Sequence, residues 1–182
     1  MEFAGAQGNW KNTKLFSSRQ EAELGTQCLI SIEEVSMEKV EIVGIITRVL
    51  KPIDFRRRGN NWVNEAGEII KIVNLQKSVF GNRFYINYGF IVRCVPLIGA
   101  VMHVFNGLEN CDDGGLTSNV ILDLDIEIPD LTRAKRLEAI LAKCVVTEMT
   151  KVNTERDIKE SLENRLSLND IPLNVKEYFG FC

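Results

Sequence analysis

The chain has 182 residues, with 22 Lys and Arg against 25 Asp and Glu, a formal net charge of −3 and 45% hydrophobic residues. That length suits one ordinary core plus an extension, and the even charge balance gives no broad basic field of the kind that holds nucleic acid by counterion release. The longest apolar stretch, Val95 to Val104, is far below the ~20 residues of a membrane span, and the amino terminus has no basic segment followed by an apolar run. No membrane partner and a cytoplasmic location are therefore expected.

Cys28, Cys94, Cys111, Cys144 and Cys182 are odd in number, scattered and without Cys-x-x-Cys spacing, which suits a reducing cytosol better than a disulfide framework.

Met1 to about Thr26 carries isolated apolar residues among Gly, Asn, Ser and Gln, with no sustained period, and residues 1–36 are set apart from the rest. Such a segment offers little surface for a core and is expected to be poorly ordered. Glu33-Glu34-Val35 can be encoded by a purine-rich ribosome-binding signal shortly before Met37, so this segment is either non-native upstream sequence or a variable extension. Intact mass from the native source separates the two. Residues 37–182 are expected to form a single domain.

From Met37 the pattern sharpens. Apolar residues at Met37, Val40, Val43, Ile46 and Leu50 predict a helix that stops at Pro52. Phe55 to Arg58 and Trp62 to Glu65 read as short strands joined by Gly59-Asn60-Asn61, and Ala66-Gly67 turns the chain into a long hairpin. With a tight turn on Gly81-Asn82, that hairpin pairs Val79 with Phe84, Leu75 with Tyr88 and Val73 with Phe90 on an apolar face. The opposite face then sets Ser78 against Tyr85, Gln76 against Asn87 and Asn74 against Gly89. Lys77 falls on the apolar side, where it must snorkel, pair with an acid or mark a bulge.

The runs Lys51-Pro52-Ile53-Asp54-Phe55-Arg56-Arg57-Arg58-Gly59, Asn74-Leu75-Gln76-Lys77-Ser78 and Ile86-Asn87-Tyr88-Gly89 resemble a bacterial family catalogued as a domain of unknown function, number 4304, over residues 37–93. Its pattern is a helix ending in Leu-Lys-Pro, a Gly-Phe-Lys-Lys-Lys-Gly-like strand, Asn-Phe-Gln-Lys-Ser, and an Ile-Asn-hydrophobe-Gly strand. The chain departs at Asp54, where the family usually has Gly, and at Leu75, where it usually has Phe. The resemblance implies a small bacterial α+β domain and supplies no catalytic residues.

Arg93 to Gly115 yields no pattern, being interrupted by Pro96, Gly99, Gly107 and Asp112-Asp113-Gly114-Gly115. Val120 to Ile128 alternates, with Asp123, Asp125 and Glu127 opposite an apolar row, and is predicted to be a strand. Leu131 to about Val152 is predicted to be a helix with Leu137, Ile140, Leu141, Cys144, Val145 and Met149 on one face. A second helix follows the weak capping box Thr154 to Asp157, with Ile158, Leu162 and Leu166 as its stripe. The tail after Pro172 is amphipathic and aromatic. The fold expected is α+β, an antiparallel sheet of about five strands with an N-terminal helix and two C-terminal helices packed on one face.

Candidate chemistry is sparse. Asn74, Gln76, Ser78, Tyr85 and Asn87 can form a recognition surface or an internal ladder of hydrogen-bonded pairs; the ladder is the commoner arrangement, and under it Gln76→Ala lowers stability. Arg58, Lys77 and Arg83, with Arg56, Arg57 and Lys51, can meet an anion, although alternation sends Arg57 away from its neighbours and a charged edge strand explains the run as well. Asp123, Asp125 and Glu127 can hold Mg²⁺ or face a basic partner, or simply hydrate a sheet. His103, the single histidine, has no Cys or acid at ligand spacing and reads as structural. No Gly-x-Ser-x-Gly or phosphate-cradling loop occurs. Neither a metal nor a cofactor is predicted.

The expectation is a non-enzymatic bacterial cytosolic protein that binds another macromolecule, a toxin-neutralising immunity protein being one concrete version. The alternative is an enzyme or nucleic-acid-processing domain centred on Arg58, Asn74, Gln76, Lys77 and Asn87.

Overall fold

The computed structural model describes residues 37–111 and 114–182. The expectations for residues 1–36 and for Asp112-Asp113 lie outside the described residues. Helix α1 covers Lys39–Leu50. It starts where the Glu38 N–H donates to the Glu41 carboxylate at 2.7 Å, which occupies a donor the helix leaves unpaired. Ile42, Val43, Ile45, Ile46 and Leu50 are buried. Val40, expected on the stripe, is 69% exposed, since it sits roughly 200° round the helix from Ile42. Pro52 lies in a 3₁₀ turn over Lys51–Ile53, after which Asp54 takes a left-handed φ of 62°.

Strands β1 (Arg56–Arg58), β2 (Asn61–Asn64), β3 (Ile69–Lys77), β4 (Phe84–Val92) and β5 (Val104–Gly107) make a five-stranded antiparallel sheet in chain order. The hairpin of β3 and β4 keeps both expected faces but not the expected partners. Lys77 lies opposite Phe84, Gln76 opposite Tyr85, Leu75 opposite Ile86, Asn74 opposite Asn87 and Val73 opposite Tyr88. The expected pairs of Gln76 with Asn87, Val73 with Phe90, and Val79 with Phe84 are therefore not formed. The difference is a shift of two residues, which leaves every paired side chain on its own face, while Val79, expected on the apolar face, passes into the connection and is exposed.

The cause lies at the tip. The Ser78 N–H donates to the Arg83 carbonyl at 2.8 Å, so Val79–Asn82 forms the connection, and neighbouring backbone is claimed elsewhere: Phe84 N–H donates to Leu122 carbonyl at 2.8 Å and Leu124 N–H to Asn82 carbonyl at 3.0 Å.

The fifth strand is also not the expected one. Val120 to Ile128 is instead the end of helix α2 (Ser118–Ile121) and an irregular segment joined to Arg83 by an isolated bridge at Asp123. Arg133, 3% exposed, accounts for the shape. Its guanidinium donates to the carbonyls of Ile121, Asp123 and Ile126 at 2.6, 3.0 and 2.6 Å, gathering groups that an extended strand would hold apart. The sheet takes β5 from the stretch that showed no pattern.

Helix α3 (Asp130–Ile140) continues through a π-helical turn, Leu141–Val146, into α4 (Thr147–Lys151). In helix α5 (Glu155–Glu163) both arms of the capping box form: Asp157 N–H donates to the Thr154 hydroxyl at 3.2 Å and Thr154 N–H to the Asp157 carboxylate at 2.9 Å. Leu166, expected on its stripe, lies past the helix end and is exposed. The aromatic tail is a further helix, α6 (Leu173–Phe179). Cys111 and Cys144 are joined as a disulfide with Cα atoms 6.3 Å apart, within bridging range. Their distance along the chain hid a pair that only the fold brings together.

Leu75, Phe84 and Tyr88 of the sheet share one core cluster with Leu137, Leu141 and Val145, as expected, and with buried residues of α1, α2, α5 and α6. Ile72 and Met102 are buried outside that cluster. The helices therefore cover the inner face of the sheet. Lys71, also facing inward, is buried, and its ammonium reaches the Met149 carbonyl and Asn153 Oδ1; burial pushes its pKa down, against the opposing pull of Asp157. Lys77 snorkels to an exposed position with its ammonium 5.9 Å over the Phe84 ring.

Candidate functional site

The outer face of the sheet follows from strand parity. One row across it runs Arg58, Asn61, Asn74, Asn87 and Gly107, and the next runs Arg56, Val63, Ile72, Gly89 and Phe105. Gly89 lets β5 close on β4, because a Cβ there would run into the Val104 carbonyl oxygen. Asn74 Nδ2 donates to Asn61 Oδ1 at 2.7 Å, so that pair forms the ladder expected of this face. The ladder stops there: among the described residues the side chains of half-buried Asn87 and exposed Gln76 have no hydrogen-bond partner.

Asn74, Gln76 and Asn87 floor a concavity of about 320 Å³, walled by Val101, Met102 and Phe105 and rimmed by Asp170 and Pro172. His103 holds the wall in place. Its Nδ1 accepts the Val92 N–H at 3.0 Å and its Nε2 faces the Pro96 carbonyl at 3.3 Å, which sets the proton on Nε2. Burial pushes its pKa below the usual histidine range, the Pro96 carbonyl opposing.

A second depression, about 620 Å³, lies at the β1 edge between the 3₁₀ turn and β2, lined by Lys51, Asp54, Arg56, Arg58 and Glu65. Arg58 is taken by Glu65 through two hydrogen bonds of 2.8 and 2.7 Å, which raise the guanidinium pKa and lower that of the carboxyl. Lys51 and Arg56 make no ion pair among the described residues.

The structure thus gathers Asn74, Gln76 and Asn87 and scatters the other candidates. Tyr85 is on the same face, opposite Gln76. Ser78 Oγ accepts the Phe80 N–H at 3.0 Å inside the connecting loop. Arg83 is bound to Asp123, whose carboxyl is held below the usual range by that guanidinium, and Asp125 Oδ2 accepts the Asn82 N–H at 2.9 Å. The acidic row is therefore no row: Asp123 is buried, Asp125 is engaged, and Glu127 is exposed.

Val101, Met102 and Phe105 are what sequence reasoning missed, because they lie in a stretch that shows no pattern; His103, read as structural, is structural here.

Residues 46–96 match the family model described as Domain of unknown function (DUF4304). This is the family the sequence resembles. The DUF4304 match runs from the later turns of α1 through β4 and includes the amide floor, but ends before the wall and β5. No curated protein and no solved structure matches the chain. Among the described residues no helix is long and apolar enough to cross a membrane, and no group of three or more His, Cys, Asp or Glu is placed to hold a metal ion.

Proposed function

We propose that the protein is a non-enzymatic macromolecule-binding protein that holds a segment of another protein on the outer face of its sheet. The observation that carries this reading is the pair of unpartnered carboxamides, Gln76 and Asn87, on the floor of the concavity. Amides that serve the fold are paired within it, as Asn61 and Asn74 are, whereas amides facing an apolar wall across open space are the composition of a binding site. A toxin-neutralising bacterial immunity protein is one form of this reading, with the amide concavity in place of the acidic row.

Thermal or urea melts test it first. Because neither amide has a partner among the described residues, Gln76→Ala and Asn87→Ala are expected to stay within about 0.5 kcal/mol of the wild type, the reverse of what an internal ladder requires. A loss of about 1 to 3 kcal/mol in both would make them structural and remove the reading. Affinity capture from the source cells, repeated with a purified candidate, should then yield a protein that binds the wild type and is lost on Asn87→Ala.

A further inference from the structure

The two depressions differ in chemistry, and each includes outer-face residues, Asn74, Gln76, Asn87 and Phe105 in one and Arg56, Arg58 and Val63 in the other. At the β5 side, Val101, Met102 and Phe105 wall an apolar pocket, with Phe105 42% exposed. At the β1 side, Arg56 and Lys51 present cations without an ion pair among the described residues, while Arg58 is neutralised by Glu65. Between them lie the carboxamides of Asn87, Asn74 and Asn61, one per strand in a single row.

From this arrangement we infer that the occupant is an extended peptide segment laid across the strands, with an apolar side chain in the Val101–Met102–Phe105 pocket and a carboxylate at Arg56 and Lys51. The inference rests on the binding reading above and adds the motif. The span sets its length. From β5 to β1 there are four strand spacings, about 19 Å, and an extended chain covers that in about six residues at about 3.3 Å each. The carboxamide row then lies under the peptide backbone, where Asn87 can give and take hydrogen bonds and Asn74 and Asn61 can add those their mutual bond leaves over, without regard to side-chain identity. Specificity falls to the two ends, and charge complementarity at the β1 end selects an acidic residue over a basic one.

Selection of a random-peptide display library on the wild-type protein tests this. The expected peptides carry a large apolar residue and an Asp or Glu about five or six positions apart. Their affinity should fall about five- to tenfold on Arg56→Glu, as one accessible ion pair becomes a repulsion, and return when the peptide acid is replaced by Lys. Lys51→Glu should act in the same direction. Melts unchanged from the wild type establish that both variants are folded.

Peptides lost on Phe105→Asp but indifferent to Arg56→Glu would overturn the acidic end while sparing the groove. Peptides indifferent to both would overturn the groove as well. A fluorescent oligothymidylate of about 12 nucleotides that binds and displaces them would assign the face to a nucleic acid strand and overturn the peptide.

Discussion

Protonation of His103 would remove the acceptor that holds the Val92 N–H and set a charge among buried groups. Burial depresses its folded pKa below the unfolded value of about 6.5. Between those two values the unfolded chain binds more protons than the folded one, so stability there rises with pH and is lost as pH falls from about 6.5 towards the folded pKa. Urea midpoints measured from about pH 7 to about pH 5 should therefore drop more steeply in the wild type than in His103→Asn. Parallel curves would show that His103 does not carry the effect. Asp54 makes a second point at this scale. Its φ of 62° is the left-handed region in which glycine is free of strain and Asp is among the better tolerated alternatives, which explains why the family's usual Gly can be Asp here. The sequence displayed the substitution but not the conformation behind it.

Among the elements, the long helical stretch from α3 through the π-helical turn was the most legible, because Leu137, Ile140, Leu141, Val145 and Met149 repeat at helical spacing and all are buried. Leu141→Ala, at a fully buried site in the turn, should cost about 2 to 5 kcal/mol, read as a shift of the urea midpoint at unchanged slope. The hairpin was legible in parity and illegible in register. Two registers that differ by two residues bury the same side chains, and the choice between them lies with Leu122 and Leu124, some forty residues on, which bond to Phe84 and Asn82. The segment Val120 to Ile128 alternates as well as any strand, yet Arg133 overrides that local pattern by collecting its carbonyls. Competition of this kind is set by tertiary contacts, which no window of sequence contains. The candidate site divides the same way: its amide floor follows from alternation along β3 and β4, while its wall depends on the His103 contacts that fasten a stretch without periodicity.

At the scale of the whole sheet, helices seal the inner face, while among the described residues the outer face is open at positions such as Gln76 and Asn87. Neighbouring residues therefore differ sharply in what they support. Leu75, 1% exposed, should cost about 2 to 5 kcal/mol on replacement by Ala, whereas Gln76 beside it should cost almost nothing. Comparable losses at both positions would mean that the outer face is closed by contacts these residues do not show.

The alternation of β3 and β4 also bears on how such a protein can diversify. Each strand carries two texts, one written in every second residue and answerable to packing, the other written between and, at positions such as Gln76 and Asn87, free of partners among the described residues. On the binding reading proposed above, rewriting the second text at positions such as 76 and 87 would alter recognition without disturbing the architecture that displays it. If the proposed binding reading holds, the same framework could be fitted to new partners by changing that one face.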